Sequence, residues 1–79
     1  MIDKIKAHIA KVEAFATEKK EELEQFRLEY LGKKGLLNDL FAQFKEVPKE
    51  EKKEFGQIIN ELKSKAEAKI NELKEKLGG

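Results

Sequence analysis

Two lysines, Lys33 and Lys34, stand between two glycines, Gly32 and Gly35, inside the run FRLEYLGKKGLL, where the surrounding pattern is helical. Adjacent cations at a break in a helix suit an anionic ligand, phosphates above all, because their fields add and neither is tied to a helix surface. Gly costs a helix interior about 1 kcal/mol relative to Ala and permits positive φ. The pair therefore predicts a kink or break that presents Lys33 and Lys34 and lets the backbone come close to a ligand. Arg27 lies on the same helix surface region, and Lys45, Lys49, Lys52 and Lys53 surround a second interruption at Pro48. Each cation has a structural reading beside the binding one. Lys33 and Lys34 also solubilise a loop, and Arg27 equally pairs with Glu24 or with an acid on a facing helix. The lysines near Pro48 alternate with Glu46, Glu50, Glu51 and Glu54, a spacing that favours i,i+4 ion pairs on a solvated surface. Tyr30 has a ring that stacks on bases, but its position on the apolar seam favours core packing.

No arrangement of side chains supports catalysis. His8 is the sole histidine and the chain has no cysteine, so neither a zinc site nor a disulfide framework is expected. Ser64 is the sole serine and lies between Lys63 and Lys65 on a regular helix, with no histidine to act as its base. Glu18 and Glu22 pair on a helix exterior, where nothing apolar raises a carboxyl pKa for acid–base work. The expectation is a chain with no catalytic residues, no metal and no cofactor.

The elements that must position the lysines follow from composition and periodicity. Seventy-nine residues, 42% of them charged, with a single proline, suit one small domain of long helices and leave little interior for a catalytic pocket. The net charge is +1, yet residues 32 to 53 carry six lysines against four acids while residues 17 to 31 carry five acids against three bases. Positive charge is thus gathered around the two interruptions. No apolar run is long enough to span a membrane and no secretory leader pattern is present, so cytoplasmic residence without membrane association is expected.

From Ile2 to Phe44 one heptad frame collects Ile2, Ile5, Ile9, Val12, Ala16, Leu23, Phe26, Tyr30, Leu37, Leu40 and Phe44. Only Lys19 and Lys33 violate it. Each lies beside an interruption, the first at Thr17, an N-cap type followed by Glu18, the second at the glycine pair. Pro48 suits the first position of a new helix, and Glu50 and Glu51 complement its positive start. The second stripe runs Phe55, Ile58, Ile59, Leu62, Ala66, Ile70, Leu73, Leu77. Gly56 within it reads as a site of close approach near the bulky Phe41, Phe44 and Phe55. The predicted helices cover about 2–16, 18–31, 36–45 and 48–77 of a single 1–79 domain.

Two apolar stripes joined by a tight turn predict an all-α fold, a long antiparallel α-hairpin of coiled-coil type broken near Thr17 and Gly32–Gly35. Pairing across the Pro48 turn brings Tyr30 near Ala66 and leaves residues 2–16 without a partner. Either the N-terminal helix folds back as a third helix, which the exposed Ile2, Ile5, Ile9 and Val12 favour, or its partner lies outside this chain. The isolated chain is expected as a monomer or a weakly self-associating coiled coil.

The run YLGKKG at Tyr30–Gly35, with GQIIN at Gly56–Asn60 downstream and a long charged helix after it, resembles the N-terminal domain of bacterial phenylalanine–tRNA ligase alpha subunits. The resemblance covers Met1 to about Leu77. It implies a non-catalytic tRNA-binding arm, a helical hairpin projecting from a class II synthetase, with tRNA and the rest of the alpha subunit and the beta subunit as partners. It also implies that the ATP-dependent ligase domain, absent here, follows elsewhere. Under that implication Arg27, Lys33, Lys34, Lys45 and Lys49 are the candidate nucleic-acid contacts, and Gly32, Gly35, Pro48 and Gly56 are structural. Two other readings stay open: a coiled-coil interaction module using its Ile-rich first helix, and a stabilised or redesigned helical domain, suggested by KSKAEAKINELKEKL and the terminal double glycine.

Overall fold

The computed structural model describes residues 2–78; Met1 and Gly79, the limits of the expected 1–79 domain, lie outside the described residues. Four helices follow one another: α1 (Ile2–Ala14), α2 (Lys20–Leu31), α3 (Leu36–Phe44) and α4 (Lys49–Gly78). The described chain is all-α. Its longest element sets its shape, because α4 has 30 residues, which is about 45 Å at 1.5 Å per residue, and the longest dimension is 45 Å.

All three shorter helices pack on α4. The reason is the spacing of its apolar positions: Phe55, Ile59, Leu62, Ala66, Ile70 and Leu73 recur every three or four residues and all are buried. Ala66, between Leu62 and Ile70, is 0% exposed and keeps the stripe continuous. Burying an Ile or Leu side chain contributes about 1.5–3 kcal/mol, so this one face supplies much of the stability.

The N-terminal helix folds back. Ile2 and Asp3 share a groove with Val47, Pro48 and Phe55 at the start of α4. At the other end of α1, the Glu13 carboxylate meets Lys65 Nζ at 3.1 Å and the Glu13 carbonyl accepts a hydrogen bond from Lys69 Nζ at 3.0 Å. α1 therefore runs parallel to α4, with two cations of α4 against the negative end of its dipole. α2 then returns antiparallel to α1, since His8 meets Tyr30 and Phe15 stacks on Phe26 with ring centroids 4.1 Å apart. Ile5, Ile9 and Val12 are consumed in this packing and are 1%, 6% and 0% exposed.

The break near Thr17 differs in detail from the sequence expectation. α1 stops at Ala14 and α2 begins at Lys20, each two residues short of the expected 16 and 18. Thr17 does not cap α2: Lys19 occupies that position, with no side-chain cap. Instead the Thr17 hydroxyl oxygen accepts the Lys19 N–H at 3.1 Å while its O–H donates to the Glu22 carboxylate. These bonds close a turn before the helix starts. Phe15, not Ala16, packs on the core, and Ala16 is exposed. α3 ends at Phe44 and α4 starts at Lys49, one residue from the expected 45 and 48. Pro48 precedes the first helical residue, and its carbonyl accepts the Glu51 N–H at 2.9 Å.

Candidate nucleic-acid interface

The lysine pair sits in a closed turn between α2 and α3. The Gly32 N–H donates to the Leu28 carbonyl at 3.2 Å, ending α2, and the Gly35 N–H donates to the Gly32 carbonyl at 2.9 Å. That last bond makes Gly32–Gly35 a β-turn with Lys33 and Lys34 at its two central positions. Both lysines are exposed. Neither enters an ion pair among the described residues. They also follow the C-terminus of α2, where the helix dipole favours positive charge even without a ligand.

The glycines stand at the expected break, and neither has a positive φ. Gly32 has φ −67° and ψ 165° and Gly35 has φ −78° and ψ 171°, both extended conformations open to any L-residue. Space is what they provide. A Cβ on Gly32 falls 2.5 Å from the Leu28 carbonyl oxygen, and one on Gly35 falls 2.9 Å from the same atom and 3.0 Å from the Glu29 oxygen. The backbone they approach is the end of α2, and Gly35 is buried.

Asn38 holds the turn from the other side. Its side-chain amide donates to the Lys33 carbonyl at 2.8 Å and to the Gly32 carbonyl at 3.2 Å. The sequence reading missed this residue. The signal was an asparagine three residues past a glycine at the start of a helix, where a short amide reaches back to the preceding turn. The Lys33 carbonyl gains its partner in this way, the Gly32 carbonyl gains a second beside the Gly35 N–H, and the backbone of the turn is tied to the first turn of α3.

The other candidates lie elsewhere on the surface. Arg27 is paired with Glu24 one turn earlier on α2, through both its Nε and a terminal nitrogen. Hydrogen bonding from this arginine holds the Glu24 carboxyl below its usual range, and the same bond raises the guanidinium above its own. Arg27 borders a groove of about 510 Å³ between α2 and α4, with Lys20, Leu23, Ile70 and Lys74. Among the described residues its hydrogen bonds and ion pair are all to Glu24, none to the lysine turn. Lys45 and Lys49 flank the α3–α4 connection, exposed and, among the described residues, unpaired.

The expected i,i+4 ion pairs around Pro48 do not form among the described residues, where the i,i+4 pair joins Lys76 to Glu72 far away. Lys52 instead lies over the Phe44 ring, 5.6 Å from its centroid. Such a cation–π contact places the lysine stem on apolar surface, which a glutamate partner would not. Phe44 also faces Gly56, where an added Cβ would come 3.2 Å from Cε2 of that ring. Phe41, expected near this contact, is exposed and does not come within 4 Å of such a Cβ.

Tyr30 is packed in the core, 2% exposed, with its hydroxyl 3.0 Å from His8 Nδ1. Burial, and secondarily the charge of Glu29, push the phenol above its usual pKa. His8 is thus accounted for by α1–α2 packing. No group of three or more His, Asp or Glu able to hold a metal occurs among the described residues, and no helix there is long and apolar enough to cross a membrane.

The comparisons with known proteins point to one family. The family model described as aminoacyl tRNA synthetase class II, N-terminal domain, matches residues 18–78. The phenylalanine–tRNA ligase alpha subunit of Christiangramia forsetii is 66% identical over 77 residues, covering 98% of this chain and 23% of that protein. The corresponding subunit of Flavobacterium johnsoniae is 56% identical over 77 residues, with the same coverage, and that of Bacteroides thetaiotaomicron is 53% identical over 75 residues, covering 95% of this chain and 22% of that protein. The chain thus spans less than a quarter of the length of these curated relatives. No solved structure matches it.

Proposed function

The chain belongs to the class II aminoacyl-tRNA synthetase N-terminal domain family, and from that premise we propose that it is a tRNA-binding arm, meeting the RNA backbone by charge and shape and performing no catalysis itself. The observation that carries this reading is the β-turn that holds Lys33 and Lys34 outward, unpaired and locked by Asn38. Two adjacent ammonium groups on a rigid support meet phosphates without first losing an ion pair, and each displaces condensed counterions on contact. Lys45 and Lys49 add two exposed cations at the α3–α4 connection, and Arg27 adds a contact once Glu24 releases it. That pair is exposed and screened by solvent, so a charge-assisted bond to phosphate can replace it.

In this reading the remaining parts of the alpha subunit and the beta subunit are its partners in a cytoplasmic enzyme, and aminoacylation is the work of those parts. The interaction-module alternative relied on an open Ile-rich face of α1. Ile5, Ile9 and Val12 lie against α4 within this chain, which leaves that alternative without its surface.

The test is a titration of the chain with tRNA at low and at moderate salt, beside Lys33→Glu/Lys34→Glu, with helicity of both followed by circular dichroism. Salt-sensitive binding that disappears in the folded double variant is the expected result. Equal binding by the two proteins removes the lysine turn from the interface, and no binding by the wild type at low salt rejects the arm as an independent RNA-binding unit.

A further inference from the structure

We propose that Phe41 is a stacking platform for one unpaired base, so that the arm takes an RNA segment whose nucleotides are out of helical stack; this rests on the RNA-binding reading above and names the kind of nucleotide bound. The chain has five phenylalanines. Phe15, Phe26, Phe44 and Phe55 each face another aromatic ring, and Phe41 does not among the described residues. Its neighbours Leu37 and Leu40 are buried while Phe41 keeps 38% of its surface in solvent. Packing of α3 therefore fixes the helix and leaves the ring on its outer flank.

The face of α3 that carries the ring has the lysine turn before it and Lys45 after it. Asn38, Phe41 and the C-cap residue Lys45 follow at i, i+3 and i+7, along one face of α3 and its end over about 10 Å. At the N-terminal end of that face Asn38 is bonded to the Lys33 carbonyl, which brings the lysine turn to it. At the other end Lys45 is exposed and, among the described residues, unpaired. The acid nearest in sequence, Asp39, is engaged by the Gln43 side chain at 2.9 Å. An aromatic face between positive groups matches the chemistry of a nucleotide, a π-surface carried between phosphates.

A paired duplex hides its base faces in the stack, and A-form RNA offers proteins chiefly backbone and minor groove. An exposed ring on a rigid helix gains from RNA only where a base is turned out, in a loop or at a sharp bend. A single exposed phenylalanine is also compatible with a protein partner, but the flanking lysines favour a polyanion. A protein partner would need no phosphate, and its binding would be indifferent to Lys33 and Lys34.

The deciding experiment titrates this chain, Phe41→Ala, Phe41→Trp and Lys33→Glu/Lys34→Glu with a phenylalanine-specific bacterial tRNA transcript and with a fully paired RNA duplex. Folding of every variant is checked by circular dichroism; Phe41 lies outside the buried core. Phe41→Ala is expected to weaken tRNA binding about fivefold or more, at an unchanged salt slope, and to leave duplex binding as it was. Phe41→Trp keeps the affinity, and tRNA quenches its fluorescence. Wild-type affinity in Phe41→Ala, with binding lost in the lysine variant, overturns the stacking platform and leaves the RNA-binding arm standing. Equal quenching by tRNA and duplex also overturns it. Absence of any binding by the wild type removes both.

Discussion

The chain is interrupted twice before Pro48, and the two interruptions do opposite things. Between Ala14 and Lys20 there is no glycine, yet the chain reverses, sending α2 back along α1. Between Leu31 and Leu36 there are two glycines, yet the direction is kept: α2 lies beside residues 67–78 of α4 and α3 ends against Phe55 and Gly56. Reversal is imposed by burial, because Ile5, Ile9 and Val12 find cover on α4 only if α1 turns back. The glycine turn redirects little. It removes one stretch of an arm from helical hydrogen bonding and holds two lysines out from it.

The comparison breaks most severely at the seam that drives the reversal. Val12→Asp places a carboxylate at a position 0% exposed, and a loss of about 4 kcal/mol is expected, from the removed apolar contact and an unpaired buried charge. Urea unfolding followed by circular dichroism measures it, together with loss of α1 helicity. An unchanged midpoint would show that α1 is not held by α4.

Gly32→Ala sharpens the contrast between the breaks. Its Cβ meets a backbone oxygen that cannot rotate away, so we expect about 2 kcal/mol of destabilisation despite the better helix propensity of alanine. Thr17→Ala at the glycine-free break loses hydrogen bonds on an exposed loop and is expected to destabilise by about 1 kcal/mol or less. Denaturant midpoints of the two variants in parallel decide the order, and a larger effect at Thr17 would invert the roles assigned to the two turns.

The smallest effect belongs to pH. The Tyr30 hydroxyl, kept neutral by burial, has its pKa raised above the ordinary value near 10. The unfolded chain then releases this proton first, so the contribution is complete below about pH 10 and is lost as pH rises through the raised folded value. Melting temperatures between pH 8 and pH 11 should fall more steeply for the wild type than for Tyr30→Phe. Parallel curves would mean that lysines alone set the alkaline limb.

Much of the fold was legible in the sequence, and what escaped has common causes. The heptad frame identified the residues that are buried in α1, α2 and α3, because each segment presents the same spacing to α4 whichever way it runs. For that reason it was silent about direction. The reversal was inferred from an uncovered Ile strip, and the frame failed locally at Ala16, where Phe15 takes the core position beside Phe26. Lys19 and Lys33 marked both breaks correctly, being cations where the seam asks for apolar groups. Less of the candidate interface was legible. Exposure of Lys33 and Lys34 follows from their setting, but Asn38 acts through carbonyls five and six residues away. The expected pairing of charges near Pro48 gave way to Lys52 on Phe44, since a ring on the facing helix is invisible to local spacing.

Chemical synthesis would treat the two turn glycines in an unaccustomed way. D-alanine is the usual means of rigidifying a glycine that adopts left-handed backbone angles, and both these residues have negative φ. The mirror-image residue would be strained at either site, and the L-residue is excluded by crowding. Neither hand of alanine fits, so the turn is best probed by replacing the Gly35 amide with an ester. That change removes the hydrogen bond to Gly32 without adding an atom to a space that has no room for one.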